Sequence, residues 1–163
     1  MAQLGDTTVY GSVDARGIVT QSKQPAFSAK LAARQYMVAN AVFETIIGWT
    51  EIFDANNNFN PTTGIFTAPV TGYYQLNTTV DLRSLDTASP YYWVIIETTN
   101  SWYGQLLDPN FSADIAYRGF SVSILADMNA GDTAFVSMYQ NAGTASQSFA
   151  ANFWTGFSGY LVC

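Results

Sequence analysis

Catalysis near neutral pH needs groups that exchange protons, hold metals or attack electrophiles, and such groups are sparse in this sequence. The 163 residues include no histidine, which removes imidazole bases, His-based triads and His metal sites. The single cysteine, Cys163, is the last residue, so no disulfide can close within the chain and no imidazole can activate the thiol. It reads as a free terminal thiol, with pairing between subunits as the alternative if the C-termini converge. Two carboxylates can cleave a glycosidic bond when held on either side of it. However, Asp81, Asp86, Glu97, Asp108, Asp114, Asp127 and Asp132 fall at no spacing that singles out a pair. Asp54, Asn56 and Asn58 alternate like the opening of a calcium loop. Phe59 then stands where that loop needs glycine, and Ile65 where it needs a bidentate glutamate. The cluster therefore reads as a turn whose side chains bond their own backbone. No glycine-rich loop leads into a helix, so phosphate has no cradle. No enzymatic activity, cofactor or metal is expected.

Composition narrows the remaining classes. Only 11% of residues are charged while 15% are aromatic, and Thr, Ser, Asn and Gly are abundant. That mixture fits strands joined by short polar turns. The net charge is −6, and the six Lys and Arg residues are scattered singly. Nucleic-acid binding needs clustered cations that displace counterions from phosphates, so no nucleic-acid partner is expected. No basic amphipathic stretch and no apolar run of spanning length is present, so no membrane insertion is expected either. The opening MAQLGDTTVYG lacks the charged-then-apolar layout of a cleaved export signal. One domain suffices: a chain of this length buries roughly 70% of the surface its unfolded form exposes.

The elements that must position any site are strands. In Phe59–Val80, Tyr74, Leu76, Thr78 and Val80 alternate with Gln75, Asn77 and Thr79, giving one apolar and one polar face. A strand of this kind covers a core with one face and meets water or a wet interface with the other. Phe27, Ala29 and Leu31 alternate in a first strand from Pro25. Tyr36–Phe43 and Ile46–Phe53 read as two further apolar strands. Asp81–Ser89 is a polar loop, and Tyr91–Glu97 a strand that is apolar on both faces. Trp102–Leu107, Phe120–Ile124, Ala134–Tyr139 and Asn152–Val162 complete the pattern, with loops at Phe111–Tyr117 and Gln140–Ala151. About ten short strands and no helix predict a β-sandwich.

Residues 1–24 differ. Gly5, Gly11 and Gly17 recur every six residues, with Val9, Val13 and Val19 as the regular apolar positions nearby. Repeats this few cannot bury a face alone and gain stability by stacking or winding with copies. Residues 1–24 are thus expected to form an extended docking arm, with a disordered N-terminal tail as the alternative, and residues 25–163 the globular domain. The arm resembles the Gly-punctuated stretches that precede the terminal knobs of bacteriophage fibre proteins.

The globular part carries a more specific resemblance. Asp54, Phe59, Phe66, Gly72, Tyr74 and Leu76, within the words NPTTGIFTAPVTGYY, are similar to the signature of the complement C1q globular domain, a relative of the tumour necrosis factor superfamily. PAFSA at Pro25–Ala29 resembles that family's first strand, and GFSGYLV at Gly156–Val162 its last. Ala130-Gly131-Asp132 before Thr133–Met138 resembles the turn before its penultimate strand. Gly48 and Thr78 depart from the pattern, standing where the family carries aromatics. The resemblance implies an all-β jelly roll that assembles as a homotrimer. It implies that Gln75, Asn77 and Thr79, with Phe157 and Leu161, face the threefold axis while Tyr160 faces the core. The two-sided apolar pattern of Tyr91–Ile96 independently favours an interface, because it exceeds what one two-sheet core needs.

Strand counting places Asp81–Tyr91, Leu107–Tyr117 and Gln140–Asn152 together at the end far from the arm. Tyr91, Phe111, Tyr117 and Phe149 there, among small polar residues, suit recognition of a host surface glycan or protein. The expected protein is a non-enzymatic trimeric virion component, a capsid decoration or fibre knob. Its arm docks on a capsid or tail protein. The alternative is a secreted or cell-surface C1q-like ligand-binding module.

Overall fold

The computed structural model describes residues 23–36, 41–141, 148–149 and 152–162. Val9, Val13, Val19 and the glycine repeat lie outside the described residues. Every regular element described is a strand. In chain order they are β1 (Ala26–Leu31), β2 (Phe43–Thr45), β3 (Trp49–Asp54), β4 (Phe59–Asn60), β5 (Ile65–Thr67) and β6 (Gly72–Leu85). There follow β7 (Tyr91–Thr98), β8 (Trp102–Leu107), β9 (Ile115–Met128), β10 (Thr133–Asn141), β11 (Ser148–Phe149) and β12 (Asn152–Leu161). They form two antiparallel sheets packed face to face. The first runs β9–β6–β12–β1–β3, with β11 also on β6; the second runs β4–β5–β10–β7–β8, with β2 also on β10.

Alternation along the strands drives the two sheets together. Phe27, Ala29 and Leu31 of β1 and Tyr74, Leu76, Thr78 and Val80 of β6 all point inward and are buried, as the period-two pattern predicts. Phe27 stands at the centre. Its ring stacks on Phe59 at 4.8 Å and on Phe66 at 4.8 Å, and meets Phe157 edge-on at 5.0 Å. Offset and edge-to-face pairs of this sort add about 0.5–1.5 kcal/mol each beyond the area they bury. Two polar side chains of the core bond to backbone carbonyls. Thr78 Oγ1 donates to the Gly156 carbonyl at 2.8 Å, and Trp49 Nε1 to the Ile46 carbonyl at 2.8 Å.

Three expectations about the elements are corrected. Ala41 and Val42 are bends rather than strand, and regular pairing begins only at Phe43, so no strand spans Tyr36–Phe43 among the described residues. Ile46–Phe53 is not one strand either. The chain leaves the second sheet after Thr45 and enters the first at Trp49. Gly48 turns it at φ 74°, a left-handed conformation that a side chain resists. Finally, the polar stretch from Asp81 to Leu85 is strand, not loop, and Ile115–Tyr117 likewise. β6 and β9 pair continuously from Gly72↔Met128 to Arg83↔Tyr117. Leu82 continues the buried face beyond Val80 while Asp81 and Arg83 are only partly buried, and the alternation slips at Ser84, φ 58°, before buried Leu85.

Candidate functional site

Three surfaces could meet a partner: the outward face of each sheet and one rim of loops. On the first sheet, Gln75, Asn77 and Thr79 project outward from β6 as predicted. The register sets Tyr160, Ser158 and Gly156 of β12 beside them on one flank. Leu125, Ser123 and Ser121 of β9 lie on the other. Gln75 Nε2 donates to Asn77 Oδ1 at 3.1 Å and to Ser123 Oγ at 3.0 Å, and Ser123 Oγ donates to Asn77 Oδ1 at 2.8 Å. Small side chains leave this face hollow. Two depressions of about 270 Å³ and 440 Å³ run over Ser28, Asn77 and Ser158. Ile52, Phe53, Leu125 and Tyr160, all about half exposed or more, rim the hollow. The surface is therefore a polar trough with an apolar border.

The strand β12 residues are placed differently from expectation. Phe157 is buried in the core, Leu161 packs against it, and Tyr160 is 48% exposed on the trough face. The cause is register: Phe157 sits opposite Thr78 and Tyr160 opposite Gln75, so each must share its partner's side of the sheet. Phe157 and Leu161 thus do not face outward, and Tyr160 does.

The first two predicted loops and the described start of the third meet at one end, while residues 142–147, 150 and 151 lie outside the described residues. Thr87 donates through its amide and hydroxyl to Asp114 Oδ1, both at 2.9 Å, tying the first loop to the second. Ser89 Oγ donates to the Asn141 carbonyl at 2.9 Å, tying it to the third. The phenol of Tyr92 closes the base of this end. It accepts from the Asp86 amide at 2.8 Å and donates to the Asp86 carbonyl at 3.0 Å. Burial pushes its pKa up to about 12. Chain entry lies at the opposite end, where the Leu161 amide donates to the Pro25 carbonyl at 3.0 Å. Of the four predicted aromatics, Phe111 is exposed in the second loop. Tyr117 is exposed in β9, where the Arg83 guanidinium lies 5.0 Å from its ring centroid. Tyr91 is half-buried at the start of β7, stacked on Tyr139 at 5.6 Å. Phe149 lies in β11, its backbone paired with Leu82. No ring contact joins Tyr91, Phe111 and Tyr117 to one another among the described residues.

The second sheet's outward face was not foreseen as a unit. Phe43 packs at 5.9 Å from Trp93, 5.1 Å from Trp102 and 4.9 Å from Tyr139. Beneath these rings Ile95 and Ser137 are buried, although they point away from the core. The available signal was the two-sided apolar pattern of Tyr91–Ile96, whose outer half this cluster covers. No cluster of three His, Cys, Asp or Glu side chains suited to a metal occurs among the described residues. Asp54 instead accepts from the amides of Asn56 at 3.3 Å and Phe59 at 2.8 Å, the self-bonded turn that its sequence predicts.

Comparison with solved structures and family models places the fold. The globular domain of zebrafish complement 1qA protein superposes with a TM-score of 0.61 at 17% identity, covering 85% of this chain and 98% of that one. Murine APRIL at pH 8.5 superposes with a TM-score of 0.62 at 10% identity, covering 86% of this chain and 100% of that one. At these identities the likeness is one of fold. No curated protein sequence matches the chain. Domains of the C1q and TNF type are structural or ligand-binding modules. The model of the C1q domain matches residues 26–162, from the first residue of β1 to just beyond β12, and the chain belongs to that family.

Proposed function

We propose that the chain is one subunit of a homotrimeric structural and recognition protein of a virion, with the trough face of the first sheet turned toward its two neighbours. C1q and TNF-type domains form homotrimers. The observation that carries the reading for this chain is the trough itself. Ile52, Phe53, Leu125 and Tyr160 leave an apolar border in water around a hollow of small polar residues, a shape that a second copy fills better than solvent. In the trimer, Gln75, Asn77 and Thr79 line a hydrogen-bonded or water-filled axis.

Chain entry and loop rim lie at opposite ends, so an arm formed by residues 1–24 docks on a capsid or tail protein while the rim faces outward. Tyr91, Phe111, Tyr117 and Phe149 then belong to the outward end that meets a ligand. The six-residue glycine repeat supports the virion setting. Members of the family are typically secreted or extracellular, and a secreted ligand-binding module is the competing assignment. Light scattering on the intact chain tests the assembly: a species three times 17.8 kDa is expected, and 17.8 kDa at low concentration refutes it. Deletion of residues 1–24 tests the docking. The truncated protein should remain trimeric and fail to join particles, whereas unchanged incorporation refutes the arm's role.

A further inference from the structure

The outward face of the second sheet carries features that neither the sandwich core nor trimerisation uses. From Tyr91 at the loop rim, rings follow one another through Tyr139 at 5.6 Å and Phe43 at 4.9 Å to Trp102 at 5.1 Å. Trp102, at the far end, is 54% exposed. Gly104 makes room for this row, because a Cβ there would lie 2.7 Å from Trp93 Nε1 and overlap Ile95. One carboxylate accompanies the rings. Glu97 pairs with Trp102 on one side and Phe135 on the other, so all three share the outward face. Its side chain makes no hydrogen bond or ion pair among the described residues.

Charge and shape together select the occupant. None of the six strands of the second sheet contains a Lys or Arg, and the carboxylate that those strands turn outward is Glu97, so an anionic polymer is repelled. A quaternary ammonium needs rings around an open centre, and here Phe43 fills the centre between Trp93, Trp102 and Tyr139. What remains suits hexose rings. Their C–H faces stack on indole and phenol, their hydroxyls donate to a carboxylate, and one hexose of an extended chain is about as long as each step between rings. We propose that this face is a binding track for a neutral, unbranched polysaccharide, with Trp102 as the stacking platform and Glu97 as the acceptor for sugar hydroxyls. The track is separate from the loop rim and does not require the trimer.

Native gel electrophoresis through hydroxyethyl cellulose, galactomannan, dextran or alginate tests it on the full chain. At least one neutral polymer should retard the protein and alginate should not. Trp102→Ala and Glu97→Gln should each weaken that retardation about tenfold or more, while Tyr73→Ala, an exposed ring on β6 of the first sheet, leaves it unchanged. Both track residues lie on the surface, and an unaltered circular dichroism spectrum and scattering mass confirm that the variants fold. Four results overturn the proposal: no retardation by any neutral polymer, equal retardation by alginate, loss in Tyr73→Ala, or retention in Trp102→Ala. A Trp102→Ala variant that changes the assembly mass instead assigns the face to protein contacts and overturns it equally.

Discussion

Single residues decide how closely the two sheets approach. Gly159 of β12 lies against the centre of the core, where a Cβ would come within 2.8 Å of Phe27 Cε1 and 3.2 Å of the Gln75 carbonyl. Gly159→Ala should therefore cost about 1–3 kcal/mol, the range for overpacking a filled core. For a chain of this size that lowers Tm by about 2–4 °C per kcal/mol. Gly119 has nothing within 4 Å of the same added carbon, so Gly119→Ala should leave Tm near the parent value. Equal effects of the two in a thermal melt refute the packing argument. Tyr92 gives a pH signature. Its folded pKa is raised to about 12 from 10.0, so the stabilisation it provides is complete below pH 10 and is lost as pH rises toward 12. Melts from pH 9 to 12 should show a steeper fall in Tm for the parent than for Tyr92→Phe. Parallel curves would disprove the assignment. Neither residue stood out in the sequence. Which glycine is crowded and which tyrosine is buried depends on strands far apart in the chain, and periodicity carries no distances.

Strands were legible wherever one face meets the core and the other meets water. β1 and the first half of β6 follow the predicted alternation residue by residue, because burial on a single side imprints a period of two. Legibility failed where that condition fails. The second half of β6 stays paired with β9 through Leu85, but Asp81, Arg83 and Ser84 crowd its two buried leucines and the alternation slips at Ser84, so Asp81–Leu85 carries the composition of a loop and the geometry of a strand. β2 and β3 merge in the sequence because the crossing between sheets passes through Ile46, buried like any strand residue. For β12 the pattern was visible but its phase was not, since aromatic residues occur at both parities: Phe157 inward and Tyr160 outward. Register alone separates them. Short β2 makes a further claim at this scale. It has three residues and pairs only with β10, yet Phe43 covers Ile95 and touches three rings. Phe43→Ala should destabilise by about 2–4 kcal/mol, at or slightly below the range for a Phe→Ala truncation in a core. Amide exchange should quicken across β2 and the adjacent stretch of β10. Exchange unchanged there would mean that the outer cluster does not hold β2 in place.

The whole molecule presents a balance of charge against apolar surface. Each chain carries a formal −6, so bringing copies together is opposed by their mutual field, and the contact must draw its stability from uncharged surface. The trough face has that character. Its floor is Ser, Thr, Asn, Gln and Gly, its border is Ile52, Phe53, Leu125 and Tyr160, and Lys30 is the one cation lining its depressions. Two effects of opposite sign follow for a trimer closed on this face. Added salt screens the long-range repulsion and should tighten assembly modestly, since ionic screening acts on the exposed charges and not on the apolar border. A carboxylate placed in the border should do the reverse, because it must be desolvated without a partner. The double substitution Ile52→Asp and Leu125→Asp changes two exposed side chains on opposite edges of the first sheet, at 63% and 55% exposure, and leaves the core of each sandwich untouched. It should convert the assembly to folded 17.8 kDa subunits whose far-ultraviolet spectrum matches that of the parent. A double variant that stays trimeric at micromolar concentration would show that subunits meet elsewhere, and the outward face of the second sheet would then be the next surface to alter.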